Sequence, residues 1–155
     1  MTIHARTERL ILREWSKDDV ESYSEIVSDP DVMQYIGDGQ PRTREHAESF
    51  VAEMMAHQWA RGWMRFAVEH ADSGRLMGFS GFDDKDGRLD FGWRLGRDYG
   101  YEASAAALFV GQQTFGLTHI TAQSYPENVG SVRIMEKMGM SLIGTSEAFG
   151  RPLVV

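Results

Sequence analysis

The chain has 155 residues, 42% hydrophobic and 25% charged, which suits a single globular domain over residues 1–155 with a self-sufficient core. A formal net charge of −7 works against non-specific binding to nucleic acid or to an anionic membrane. Cysteine is absent, which excludes disulfides, thiolate metal sites and a cysteine nucleophile. Residues 1–9 are charged and lack a signal-peptide core, and no apolar run is long enough to span a bilayer, so a cytoplasmic location is expected.

In chain order, the first expected strand covers 8–15, where Leu10 and Leu12 alternate with Arg9, Ile11 and Arg13. Ser16 reads as the N-cap of a helix running to about Val27, with Asp18 and Asp19 in its first turn. Residues 29–42 hold Asp-Pro, Gly37, Gly39 and Gln-Pro and predict a loop with one short helical turn. Thr43 opens a second helix that ends near Arg61, with Gly62 as its stop. Strands follow over 64–69, 76–82 and 89–95, joined by turns at 71–74 and at Asp86-Gly87. In the last of these, Leu89, Phe91, Trp93 and Leu95 alternate with Asp90, Gly92 and Arg94. The remainder predicts a helix over 102–115, a strand over 118–124, a helix over 128–138, and strands over 141–145 and 153–155. The order is β-α-α-β-β-β-α-β-α-β-β, an α+β arrangement with an antiparallel meander and a late βαβ-like stretch.

Several segments resemble the GNAT superfamily of N-acetyltransferases, in particular its RimJ/RimL-type branch. Thr7-Glu8-Arg9-Leu10-Ile11-Leu12-Arg13 is similar to that branch's opening T-x-R-L-x-L-R strand. Gly78-Phe79-Ser80-Gly81-Phe82 and Phe91-Gly92-Trp93-Arg94-Leu95 resemble its third and fourth strands. Asn128 after Pro126-Glu127, then Ser131 and Glu136-Lys137-Met138-Gly139, is similar to its P-x-N-x-x-S-x-x-x-x-E-K-x-G-F segment. The resemblance covers nearly the whole chain. It implies a central, mostly antiparallel sheet flanked by helices. It also implies acetyl-CoA as co-substrate, no metal, and an amine acceptor that is a protein N-terminus or a small molecule. The acetyl group would move by direct attack in a ternary complex. A homodimer is left open.

One segment departs from the family. The pyrophosphate loop reads Q/R-x-x-G-x-G/A, and Arg97 and Gly100 match its first two fixed positions, but Glu102 stands where Gly or Ala is expected. A protein that binds coenzyme with weakened catalysis is the alternative this raises.

The resemblance implies that the strand carrying Trp93, Arg94 and Leu95 lines the coenzyme, and that Asn128 contacts its pantetheine arm. Ser131 would sit near the sulfur and assist the leaving thiolate, a modest task because a thiol has a pKa of ~8.5. Asn128 is equally a helix N-cap with Ser131 at the third helical position. Arg94, Arg133 and Lys137 offer charge for the phosphates, or are simply solvated. Asp90 is the candidate base, with Glu69 and Glu102 as weaker ones; the competing reading pairs Asp90 at the surface with Arg94 or Arg88. Met33, Tyr35 and Ile36 would flank the acceptor.

Overall fold

The computed structural model describes residues 1–34, 36, 38–85, 87–95, 98–125, 127–142, 145–148 and 151–154, with side chains described through residue 142. Six strands form the main sheet in sequential order: β1 (Ile3–Arg6), β2 (Leu10–Arg13), β3 (Arg65–His70), β4 (Leu76–Lys85), β5 (Arg88–Arg94) and β6 (Ile120–Thr121). Every neighbouring pair is antiparallel except β5 and β6, which run parallel. That parallel pair needs a crossover, and α4 (Gly100–Gln113) supplies it. A separate hairpin joins β7 (Thr145–Ala148) to β8 (Arg151–Val154).

One face of the sheet carries α1 (Val20–Val27) and α3 (Arg44–Arg61), with the single turn of α2 (Pro30–Met33) between them. Local chemistry sets their ends. Ser16 and Asp19 form a reciprocal capping box on a 3-10 turn, Lys17–Asp19, that leads into α1. Thr43 accepts the His46 amide at 3.2 Å to start α3, and Gly62 stops it at φ 82°. Arg13 grips both oxygens of Asp19 at 2.9 Å, which fixes the start of α1 to β2. Beneath these helices Tyr23 stacks on Phe50 at 4.5 Å, Phe50 lies 5.4 Å from Phe79, and Trp15 meets Tyr23 edge-on. The buried core joins these rings to Leu10, Leu12, Met54, Phe66 and Val68.

The opposite face carries α4 and α5 (Val129–Lys137). The alanine-rich α4 has little side chain to hold it off the sheet, and Ala103, Ser104 and Ala107 are buried against it. Ser80 and Ser104 share a buried hydrogen bond of 3.1 Å, which shows that this side of β4 turns toward α4. Phe79, one residue earlier, turns toward α3 instead.

The structure differs from the sequence expectation at the edges of the sheet. An extra strand, β1, precedes β2; Ile3, His4, Ala5 and Arg6 show no clear alternation, and β1 pairs through an irregular register. β6 covers two residues rather than 118–124, and α4 begins at Gly100, two residues before Glu102. β7 begins where the strand expected at 141–145 ends, and β8 covers Arg151–Val154 rather than 153–155. Among the described residues no helix is long and apolar enough to cross a membrane.

His4 of β1 has a pH consequence. Its ring lies 4.8 Å from Phe66 and 5.7 Å from Phe115, and its Nε2 has no hydrogen-bond partner among the described residues. Burial lowers its pKa, while Glu14 pulls weakly the other way. Below a pH of ~6.5 the unfolded chain therefore takes up a proton that the folded chain does not. Stability should fall as pH drops through that value. Urea midpoints measured from about pH 7.5 to about pH 5.5 should decline, and His4→Gln should flatten the decline. The slope will not vanish, because burial also lowers the His46 pKa, helped by Arg94 and Arg42. An unchanged slope in His4→Gln would mean that His4 ionises normally.

Candidate active site

β5 and β6 pair at only two positions, Leu89↔Ile120 and Asp90↔Thr121. A cleft of about 410 Å³ opens where this pairing ends. Its walls come from β5 (Asp90, Phe91, Gly92, Trp93, Arg94), from Ser124 and Tyr125 after β6, from Asn128 and Ser131 of α5, and from Ile36, His46 and Phe50 on the α3 side. A cleft of this size suits a small ligand or the arm of a larger one.

Charged groups dominate the α3 side. Asp90 is buried, and its Oδ2 lies 2.8 Å from Arg65 Nη2 and 3.8 Å from Lys85 Nζ. Neither Arg94 nor Arg88 is its partner, and it is not a surface residue; the pairing expected from sequence is thus replaced by one with Arg65. Arg65, Gly81 and Gly92 lie side by side on three adjacent strands. A Cβ on Gly92 would fall 1.9 Å from Arg65 Nη1, so glycine there is what lets the guanidinium cross toward Asp90. Arg94 donates from Nη1 to the Tyr23 hydroxyl at 2.7 Å and lies 5.0 Å from the centre of the Phe79 ring. Burial pushes the Tyr23 phenol pKa up, with Arg94 and Arg65 opposing, so it stays protonated at neutral pH. His46 stands in the first turn of α3, and its lowered pKa leaves a neutral imidazole in the cleft wall.

On the other wall Asn128 caps α5 by accepting the Ser131 amide at 3.3 Å. The cap sets the first turn of the helix and brings Ser131 into the lining. Of the remaining sequence candidates, Ile36 lines the cleft, whereas Met33 is fully buried in the core and offers no contact surface. Leu95 packs against the core. Arg133 is exposed and outside the lining, and Lys137 is exposed with its ammonium 4.6 Å from the centre of the Tyr101 ring. Tyr35 and Arg97 lie outside the described residues.

Gly100 is the buried first residue of α4, packed so closely on α5 that a Cβ would meet Ile134 at 2.7 Å. Tyr99, the N-cap, makes no side-chain capping hydrogen bond, so among the described residues the first amides of α4 have no side-chain cap. Glu102 turns away from them. Its carboxylate accepts from Thr7 Oγ1, from the Arg9 amide at 3.1 Å and from Arg9 Nε at 2.8 Å. Burial opposes ionisation, but these bonds outweigh it and hold the carboxyl below the ordinary glutamate range. Glu69, the other alternative base, is occupied by Arg13 at 3.1 Å.

Sequence reading missed Tyr23, His46, Arg65 and Phe79. Arg65 carried a weak signal, since it shares a strand face with Ala67 and Glu69 between the apolar Met64, Phe66 and Val68. Its partner depends on strand register, which the sequence does not display.

The family model described as an acetyltransferase (GNAT) domain matches residues 9–141. The chain is 34% identical over 143 residues to the uncharacterized N-acetyltransferase YnaD of Bacillus subtilis, covering 89% of this chain and 82% of that protein. It is similar in structure to a GNAT-family acetyltransferase from Bacillus anthracis, with TM-score 0.79 and 30% identity over 99% of this chain and 95% of the other. The ribosomal L7/L12 alpha-N-protein acetyltransferase RimL, solved in complex with coenzyme A, has a similar fold, with TM-score 0.80 and 13% identity over 99% and 95% of the two chains. With its six-stranded mixed sheet and the cleft beside β5, the chain belongs to the GNAT family of acetyltransferases, and it is an acetyl-CoA-dependent acyltransferase.

Proposed function

We propose that the chain transfers an acetyl group to a primary amine by direct attack in a ternary complex, in the manner of the RimJ/RimL-type branch. The observation that carries this reading is the cleft between β5 and α5, with Ser131 and Asn128 on one wall and Trp93 on the other. The acetyl thioester would lie along β5, with the Asn128 side chain beside the pantetheine arm. The uncapped amides at the start of α4 suit the negative pyrophosphate, favoured there by the helix dipole. The acceptor would enter past Ile36 and His46.

In the reaction the amine nitrogen bonds to the acetyl carbon, the carbon–sulfur bond breaks, and the amine loses a proton. Ser131 would donate to the departing sulfur. The amine proton would pass to Asp90, to neutral His46 or to water. Glu102 is the basis of the alternative reading, coenzyme binding without efficient turnover. Its orientation toward Thr7 and Arg9 supports the catalytic reading, since Arg9 offsets the carboxylate near the phosphate region.

Acetyl-CoA should raise the melting temperature. At a hundred times the dissociation constant it should add about 2.7 kcal/mol of stability. Calorimetric titration that shows no binding at millimolar coenzyme would remove this reading.

Ser131 and Asn128 separate stability from catalysis. Asn128→Ala removes a helix cap and should cost ~1 kcal/mol whatever the activity. Ser131→Ala exchanges a helical serine for a better helix former, so stability should hold or rise. The same change should lower kcat by roughly 10- to 100-fold with little change in coenzyme affinity. Full turnover in Ser131→Ala would return this serine to helix chemistry alone.

A further inference from the structure

Among the described residues of the cleft wall, Asp90 and Asp83 each face a permanent cation, and Glu53 lies beside a histidine. Asp90 faces Arg65 and Lys85, Asp83 faces Arg61 at 3.5 Å and His57 at 3.9 Å, and Glu53 faces His57 at 3.5 Å. Arg94 breaks the pattern, since among the described residues it makes no ion pair. Its Nη1 donates to the neutral Tyr23 hydroxyl, and its Nε is sealed from solvent with no hydrogen-bond partner. A guanidinium carries five N–H donors, so most of this one's capacity is unfilled. Burying a cation without a counter-charge opposes folding, and a chain of net charge −7 has no shortage of carboxylates to place beside it.

The side of the sheet matters. Arg94 shares the Phe79 face with α3, whereas α4, whose first amides suit the coenzyme phosphates, packs on the Ser80 face. Arg94 therefore reaches into the acceptor side of the cleft, between Tyr23 and His46. The His46 imidazole, also in that wall, is held neutral by burial and in part by Arg94 itself.

We propose that the acceptor amine carries an anionic oxygen group, a carboxylate or a phosphate, and that Arg94 receives that group and so positions the amine. The inference rests on the acetyltransferase reading above and adds the class of acceptor. Phe79 under the guanidinium and Tyr23 beside it hold the fork in place at the cleft wall, and Nη2, which makes no hydrogen bond among the described residues, is left to meet an oxygen of the anion. A cleft of about 410 Å³ limits the part of the acceptor that enters to a small molecule or a chain end.

The test uses acetyl-CoA and two series of acceptors. The first pairs free L-amino acids with their carboxamides, and the second pairs phosphoethanolamine with ethanolamine. The anionic member of at least one series should have the higher kcat/KM, by about 100-fold, and the favoured series tells carboxylate from phosphate. Arg94→Gln should bring the ratio of kcat/KM within that series toward one, and Arg94→Lys should restore part of it. Arg94→Gln should also keep or raise the melting temperature, because it removes a partly buried charge that lacks a counter-ion. A purely structural role would lower both members of a pair equally. Ratios near one in the unmodified protein overturn the proposal, as does acetylation of neutral amines alone. If Arg94→Gln weakens acetyl-CoA binding as much as it weakens the anionic acceptor, Arg94 serves the coenzyme and the proposal fails. Binding of acetyl-CoA with no anionic member acetylated overturns this inference and leaves coenzyme binding standing. Absence of acetyl-CoA binding removes the acetyltransferase reading, and this inference with it.

Discussion

The brief contact between β5 and β6 shapes the rest of the molecule. Parallel pairing lasts for two residue pairs and then the chains part, although α4 has brought them side by side. Where the pairing ends, the backbone of β5 faces a cleft instead of another strand over its full length. Main-chain donors and acceptors at such a place need partners, and a ligand with amide groups can supply them. The flanking helices are arranged to keep the gap in being. α4 approaches closely through small residues, α5 starts from the Asn128 cap at the rim, and α3 closes the opposite side with His46 and Phe50.

The α3 side of the sheet buries an unusual amount of charge, and most of it is paired. Arg13 holds Asp19 and Glu69, and Arg65 holds Asp90. Buried pairs of this kind add little net stability over apolar packing, but separating them is costly. Their effect is positional. Arg13 fixes where α1 begins relative to β2, so Tyr23 comes to lie under α3. Arg65 fixes Asp90 at the point where β5 and β6 part. Arg94 lies between these two anchored groups, with the Tyr23 hydroxyl as its hydrogen-bond acceptor. The neutral phenol orients it without cancelling its charge.

The elements that depend on local chemistry were legible in the sequence. Thr43 and Gly62 bracket α3 because a hydroxyl acceptor and a left-handed glycine terminate helices by contacts within a few residues. The turn containing Gly87 likewise joins β4 to β5, since its φ of 79° is a local demand. Of the edge strands, β1 was not legible, and β6 was legible only as a longer strand over 118–124. β1 and β6 exist because a neighbour offers them hydrogen bonds, and four or two residues carry too little periodicity to display their extent. The site divides along the same line. Asn128 and Ser131 follow from one motif on one helix, whereas the ion pair of Arg65 with Asp90 spans 25 residues and two strand registers. Asp90 was a candidate base from its place on β5, but its environment depends on a residue that only the folded sheet brings near.

Glu102 illustrates how a departure from a family pattern can be read. In sequence it places a negative charge in the first turn of α4, where a pyrophosphate is expected, and that suggests repulsion. In the fold the carboxylate reaches back across the sheet edge to Thr7 and Arg9. Arg9 also donates to the Asp98 carbonyl at 2.7 Å and lies 4.5 Å from the centre of the Tyr99 ring, so one guanidinium braces the whole approach to α4. The glutamate therefore belongs to a clamp between the start of β2 and the start of α4, and its charge is met by that of Arg9. Glycine or alanine at this position would leave the first turn of α4 without that clamp.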